Sequence, residues 1–192
     1  MTITTAHSSR SPDSRTAFTL TELMVVMTLT VILTGAIFAS FGFVMRGSFA
    51  IANYTDMTSE GRRGLEIFAR DVREAEEILQ FSEQSLTLYL NPPDADSYEV
   101  TYRYNEQENT FERDVDGDVR VLMRDVRLPD GVTSRPAFRF RRFTVLQDEA
   151  QNHLETKQIQ LQLSMVKRVL VRDTSEKVVS ARYIMRNKAV TE

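Results

Sequence analysis

Apolar and polar positions divide this chain into unlike parts. Residues 1–17 are polar and loop-like, with Arg10 and Arg15 set against Asp13. From Leu23 to Val44 no side chain carries a charge. As a helix rising ~1.5 Å per residue, that stretch covers roughly 33 Å, enough to cross the hydrocarbon core of a bilayer. Basic residues before it and Arg46 only after it favour a cytoplasmic N-terminus with the remainder outside. A cleaved secretory signal would have an apolar core of only about 7–15 residues. The apolar run here continues through Phe41, Phe43 and Val44.

Beyond Arg46 the pattern becomes amphipathic. Phe49, Met57, Leu65, Phe68, Val72, Ala75 and Leu79 recur at three-four spacing. Arg62, Arg63, Glu66, Arg70, Asp71, Arg73, Glu74 and Glu77 fall mainly on the opposite face. This periodicity predicts a helix, strongest from Gly61 to Gln80, with an apolar stripe packed on a sheet. After it the period changes to two. Leu86, Leu88 and Leu90 alternate with polar residues, as do Tyr98, Val100, Tyr102 and Tyr104. Phe111–Val115 and Asp118–Met123 flank Asp116-Gly117, a two-residue hairpin signal. Phe138 and Phe140, then Ile159, Leu161, Leu163 and Met165, then Val178 to Met185, supply the remaining strands. One helix followed by a mostly antiparallel sheet predicts an α+β head.

Composition sharpens this division. The 192 residues include 24 Lys+Arg and 27 Asp+Glu, for a formal net charge of -3. With the apolar run uncharged, those charges concentrate in the rest of the chain. The absence of cysteine excludes a disulfide scaffold, a zinc ribbon, a thiol nucleophile and a cysteine-linked lipid anchor. The near-neutral balance speaks against strong attraction to nucleic acid or anionic lipid.

Glu22 does not fit a plain membrane anchor. A carboxylate drawn into the bilayer costs on the order of 2–3 kcal/mol unless it is paired or reaches water. Snorkelling to the headgroups would meet that need without any function; a specific cation would meet it with one.

The segment Ala17-Phe18-Thr19-Leu20-Thr21-Glu22-Leu23-Met24-Val25-Val26 follows a short basic leader and precedes a long apolar helix. It resembles the type IV pilin class III signal. The resemblance implies cleavage by a prepilin peptidase between Ala17 and Phe18 and N-methylation of the new Phe18 amine. It also implies that Glu22 pairs with the N-terminal amine of a neighbouring subunit during assembly. Ala17 stands where the family most often has Gly, but its small size keeps processing expected. Val31 and Ala39 replace the helix-loosening Gly and Pro of many major pilins, so an unbroken helix is expected.

In the head, Gly64 to Ala75, Val100 to Tyr104, Phe111 to Asp114, Val121 to Val126 and Ile184 to Asn187 resemble minor subunits. The similarity is to J-type pseudopilins of type II secretion and W-type minor pilins. It implies a leader at 1–17, a transmembrane and filament-core helix at 18–45, an amphipathic continuation at 46–80 and a β-rich periplasmic head at 81–192. The implied partners are prepilin peptidase, other pilin or pseudopilin subunits and the inner membrane, with no cofactor. The competing reading is an unprocessed, signal-anchored periplasmic domain that binds a ligand or catalyses a reaction.

Other candidate chemistry is sparse. Asp114, Asp116 and Asp118 surround Gly117, but the glycine comes one residue too early for a calcium loop. His153 lies in a polar stretch, Gln147 to Thr156, that reads as a loop, and no nucleophile or phosphate-loop motif accompanies it. The abundant carboxylates read as a solvated face. Arg139, Arg141 and Arg142 among Phe138, Phe140 and Phe143 suit an amphipathic strand better than a single-strand nucleic-acid platform. No enzymatic activity, metal or nucleic-acid partner is expected.

Overall fold

A computed structural model describes residues 19–93, 96–168 and 174–189. Among these, α1 (Leu20–Glu74) precedes β1 (Ala75–Phe81), β2 (Ser85–Leu90), β3 (Tyr98–Asn105) and β4 (Thr110–Val115). Then follow β5 (Asp118–Met123), β6 (Phe138–Phe143), β7 (Gln158–Arg168) and β8 (Thr174–Ile184). The chain divides into two compact units, one ending at Met45 and the other starting at Arg46, and α1 contributes to both.

In the first unit every described side chain is exposed, including Leu20, Val31, Phe38 and Phe43. Helix α1 runs unbroken through Val31 and Ala39, as expected from the lack of Pro there. Two of its hydroxyls bond within the helix: Thr28 Oγ1 donates to the Val25 carbonyl at 2.8 Å, and Thr30 Oγ1 to Val26 at 2.7 Å.

The second unit is the α+β head. Its strands form two antiparallel sheets, β1-β2-β3-β4-β5 and β6-β7-β8. The helix buries Met57, Gly61, Gly64, Phe68, Ala69, Asp71 and Val72. Phe68 joins the sheets: its ring lies 5.0 Å from Tyr102 of β3 and 6.2 Å from Phe111 of β4. On its other side are Phe140 of β6 at 5.8 Å and Tyr183 of β8 at 5.9 Å. Such ring packing adds about 0.5–1.5 kcal/mol per pair beyond area burial.

Two glycines one turn apart let the helix backbone approach both sheets. A Cβ at Gly61 would meet Val179 and Met165 at ordinary contact distances of 3.6 and 3.8 Å. At Gly64 it would fall 2.6 Å from Met123 Cε and 3.0 Å from Met123 Cγ. The Asp116-Gly117 hairpin forms as expected between β4 and β5, with φ of 52° and 88° at its two residues. Positive φ at both central positions is the requirement of a type I′ turn.

The expected helix through Gln80 is overturned. Helix α1 stops at Glu74, and Ala75–Phe81 pairs with β2. Two register shifts, between Ala75 and Glu77 and between Ile78 and Gln80, place extra residues in β1. Burial consequently recurs at Ala75 and Ile78, with Phe81 partly buried, every third position rather than every second. A doubly bulged strand thus imitates helical spacing. Leu79, expected in the stripe, is exposed, and so is Phe49. The helix end is set from far along the chain: Arg186 N–H donates to the Arg73 carbonyl at 3.2 Å, and Asn187 Nδ2 to the Glu74 carbonyl at 3.1 Å. These bonds satisfy carbonyls that the last turn leaves open.

Candidate functional site

Of the three residues singled out from the sequence, Ala17 and Phe18 lie outside the described residues. Glu22 occupies the first turn of α1. The Thr19 backbone N–H donates to Glu22 Oε2 at 2.9 Å, and Thr19 Oγ1 donates to the same oxygen at 2.8 Å. The Glu22 N–H returns a bond to Thr19 Oγ1 at 3.3 Å. This reciprocal arrangement is a capping box, and its carboxylate also complements the positive end of the helix dipole. The Thr19-Leu20-Thr21-Glu22 spacing ahead of an apolar run was a readable signal for it, missed by attention to charge alone. Glu22 Oε1 has no hydrogen-bond partner among the described residues.

The head contains a buried polar cluster that sequence reading assigned to solvent. Asp71 is 1% exposed, although helical spacing put it on the polar face. Its Oδ2 accepts from Tyr102 Oη at 2.8 Å and Arg113 Nε at 2.7 Å, joining α1 to β3 and β4. Arg70 Nε approaches Oδ1 at 3.6 Å. Burial, the Asp71 charge and the hydrogen bond to Asp71 push the Tyr102 phenol well above its ordinary range, against an opposing influence from Arg113. Glu112 is a second buried carboxylate, accepting from Thr110 Oγ1 at 2.7 Å, Arg103 Nε at 2.8 Å and Asn105 Nδ2 at 3.2 Å. Burial raises its carboxyl, but these bonds and the Arg103 charge outweigh that and hold it below the usual range. Both carboxylates correct the expectation of an entirely solvated acidic face.

The remaining candidates are placed as follows. Arg139 pairs with Glu83 at 2.8 Å and Arg141 with Glu149 at 3.0 Å. Arg142 donates to the Ala150 and Gln151 carbonyls and lies over Phe81. Phe138, Phe140 and Phe143 are buried, so the strand has the amphipathic character expected of it. Asp114 Oδ1 accepts from the Gly117 N–H at 3.0 Å and thereby braces the hairpin. His153 is exposed in an irregular segment. Among the described residues no group of three or more His, Asp or Glu side chains is arranged to hold a metal ion.

Residues 13–38 match the family model described as the prokaryotic N-terminal methylation motif. Comparison of the chain with curated proteins and with solved structures gives no match. The matched segment contains Ala17, Phe18 and Glu22 and extends into a helix long and apolar enough to cross a membrane. The chain therefore carries a prepilin-type methylation motif at its N-terminus. A motif of this class implies processing by prepilin peptidase and assembly with other pilin subunits. The apolar helix is consistent with membrane anchoring.

Proposed function

We propose that this protein is a minor pilin or pseudopilin, a structural subunit of a type IV pilus or a type II secretion pseudopilus. It is cut before Phe18, held in the inner membrane by α1 with the head in the periplasm, and then packed by the same helix into a filament. Its role is mechanical rather than catalytic. The observation that carries this reading is the matched methylation motif running directly into a helix whose apolar side chains up to Met45 are exposed among the described residues. Lipid and then neighbouring helices supply that cover. Transfer between them leaves apolar area buried throughout, so packing and register decide assembly.

Glu22 supplies register. Its Oε2 is engaged by Thr19, and Oε1 remains open to a second donor. An ammonium at a neighbouring Phe18 is that donor, and the pair removes the cost of carrying a lone carboxylate into the filament interior. Because the chain lacks cysteine, single introduced cysteines report subunit contacts cleanly. Phe38→Cys is expected to crosslink to a cysteine in the helix of another prepilin-type subunit when prepilin peptidase is present. Loss of that crosslink with Glu22→Ala, with membrane insertion unchanged, supports the register role; unchanged crosslinking contradicts it.

A further inference from the structure

Eight arginines of the head are paired with carboxylates within it: Arg62, Arg70, Arg103, Arg113, Arg135, Arg139, Arg141 and Arg168. Arg63, Arg120 and Arg124 are not among them. All three are exposed, and among the described residues none of their guanidinium groups has a hydrogen-bonded or ion-paired partner. They line one groove of about 430 Å³ between α1 and β5, together with Glu60, Ile67 and Val121. The sole carboxylate there, Glu60, accepts the Arg124 backbone N–H at 2.9 Å through Oε1. The groove thus concentrates three cations against one anion.

The adjoining strand is also open over residues 118–120. β5 ends the five-stranded sheet and, among the described residues, pairs only with β4, so alternate backbone N–H and C=O groups along its exposed first part face away from the sheet. Val119 beside them is exposed. We propose that this groove docks an acidic, extended segment of a partner protein, which adds as a sixth strand alongside β5. Main-chain hydrogen bonds would hold the segment, its carboxylates would engage the three arginines and its apolar residues would cover Val119. The same arginines repel a second copy of this edge, which excludes self-pairing as the occupant. The surface belongs to the head alone and does not depend on leader processing.

The test uses the full chain in a neutral detergent and a fluorescent alternating Glu-Val octapeptide, read by anisotropy at low salt. Saturable binding is expected, weakened by about tenfold or more when Arg63→Gln, Arg120→Gln and Arg124→Gln are combined. Blocking alternate backbone amides of the peptide by N-methylation is expected to weaken it comparably, whereas Arg46→Gln with Arg186→Gln leaves it unchanged. Circular dichroism checks the triple variant, and exposed Arg120→Gln alone gives a smaller loss if the triple variant misfolds. Absence of saturable binding, or equal binding of the N-methylated peptide, overturns strand addition. Displacement by a sulfated polysaccharide at equal charge concentration overturns the peptide assignment in favour of a general polyanion site.

Discussion

The Tyr102 hydroxyl donates a 2.8 Å hydrogen bond to Asp71 Oδ2, pinning strand β3 to helix α1 across 31 positions of sequence. Arg113 reaches the same oxygen from β4, so one carboxylate fastens two strands to the helix. The bond lies directly beside the Phe68–Tyr102 ring contact, which makes polar and apolar attachment a single joint.

Removing Asp71 should therefore cost more than an exposed substitution. Asp71→Ala leaves the Arg113 guanidinium mostly buried without its partner, and a loss of ~3–5 kcal/mol is expected. Tyr102→Phe removes one donor and is expected to cost ~1–3 kcal/mol. Denaturant unfolding of the detergent-solubilised chain, followed by circular dichroism, measures both. Near-zero changes would contradict a joint of this kind.

Tyr102 should also resist ionisation. Burial and Asp71 raise its phenol pKa, so its neutral form is favoured in the fold. The associated stability is fully present below the unfolded value of about 10 and is lost as pH rises through the higher folded value. Ultraviolet titration should show a phenol that ionises only with unfolding, absent in Tyr102→Phe. Ionisation of all tyrosines in one transition with the fold intact would argue against this.

Glu112 gives the opposite pH dependence. Its hydrogen bonds hold the carboxyl below the ordinary range, so it stabilises the head above the unfolded value of about 4.3. That stability disappears as pH falls through the lower folded value. Glu112→Gln is expected to flatten the acid limb of a stability–pH curve. An unchanged slope would show that the Arg103–Glu112 contact is not maintained in solution.

The paired glycines predict opposite outcomes. Gly61→Ala meets only ordinary contacts and gains helix propensity, so stabilisation of up to ~1 kcal/mol is expected. Gly64→Val drives side-chain atoms into buried Met123 and is expected to cost ~1–3 kcal/mol. Adding Met123→Ala to Gly64→Val should recover part of that loss. Thermal unfolding of the three variants beside the parent chain compares them directly.

Much of this architecture was legible because local pattern and tertiary environment agree. The uncharged run, the Asp116-Gly117 turn and the Leu86, Leu88 and Leu90 face each carry their own period or turn chemistry. Ala75–Phe81 was not legible, since its two bulges give burial every third residue and its boundary is fixed by Arg186 and Asn187. Asp71 was misplaced for a related reason: its partners come from β3 and β4, so no local pattern announces that an aspartate is buried. The division into two sheets, bridged by Phe68, is a matter of strand pairing that strand periodicity does not encode. At the N-terminus the charge argument found Glu22 but passed over Thr19, whose capping spacing was there to be read.

Cleavage is the step on which the filament reading depends. The full chain should be co-expressed with a prepilin peptidase and its N-terminus determined by sequencing and mass. A product beginning at N-methylated Phe18, abolished when Ala17 is replaced by a bulky residue, is the expected result. A chain that keeps residues 1–17, or one whose processing ignores Ala17, would contradict the account.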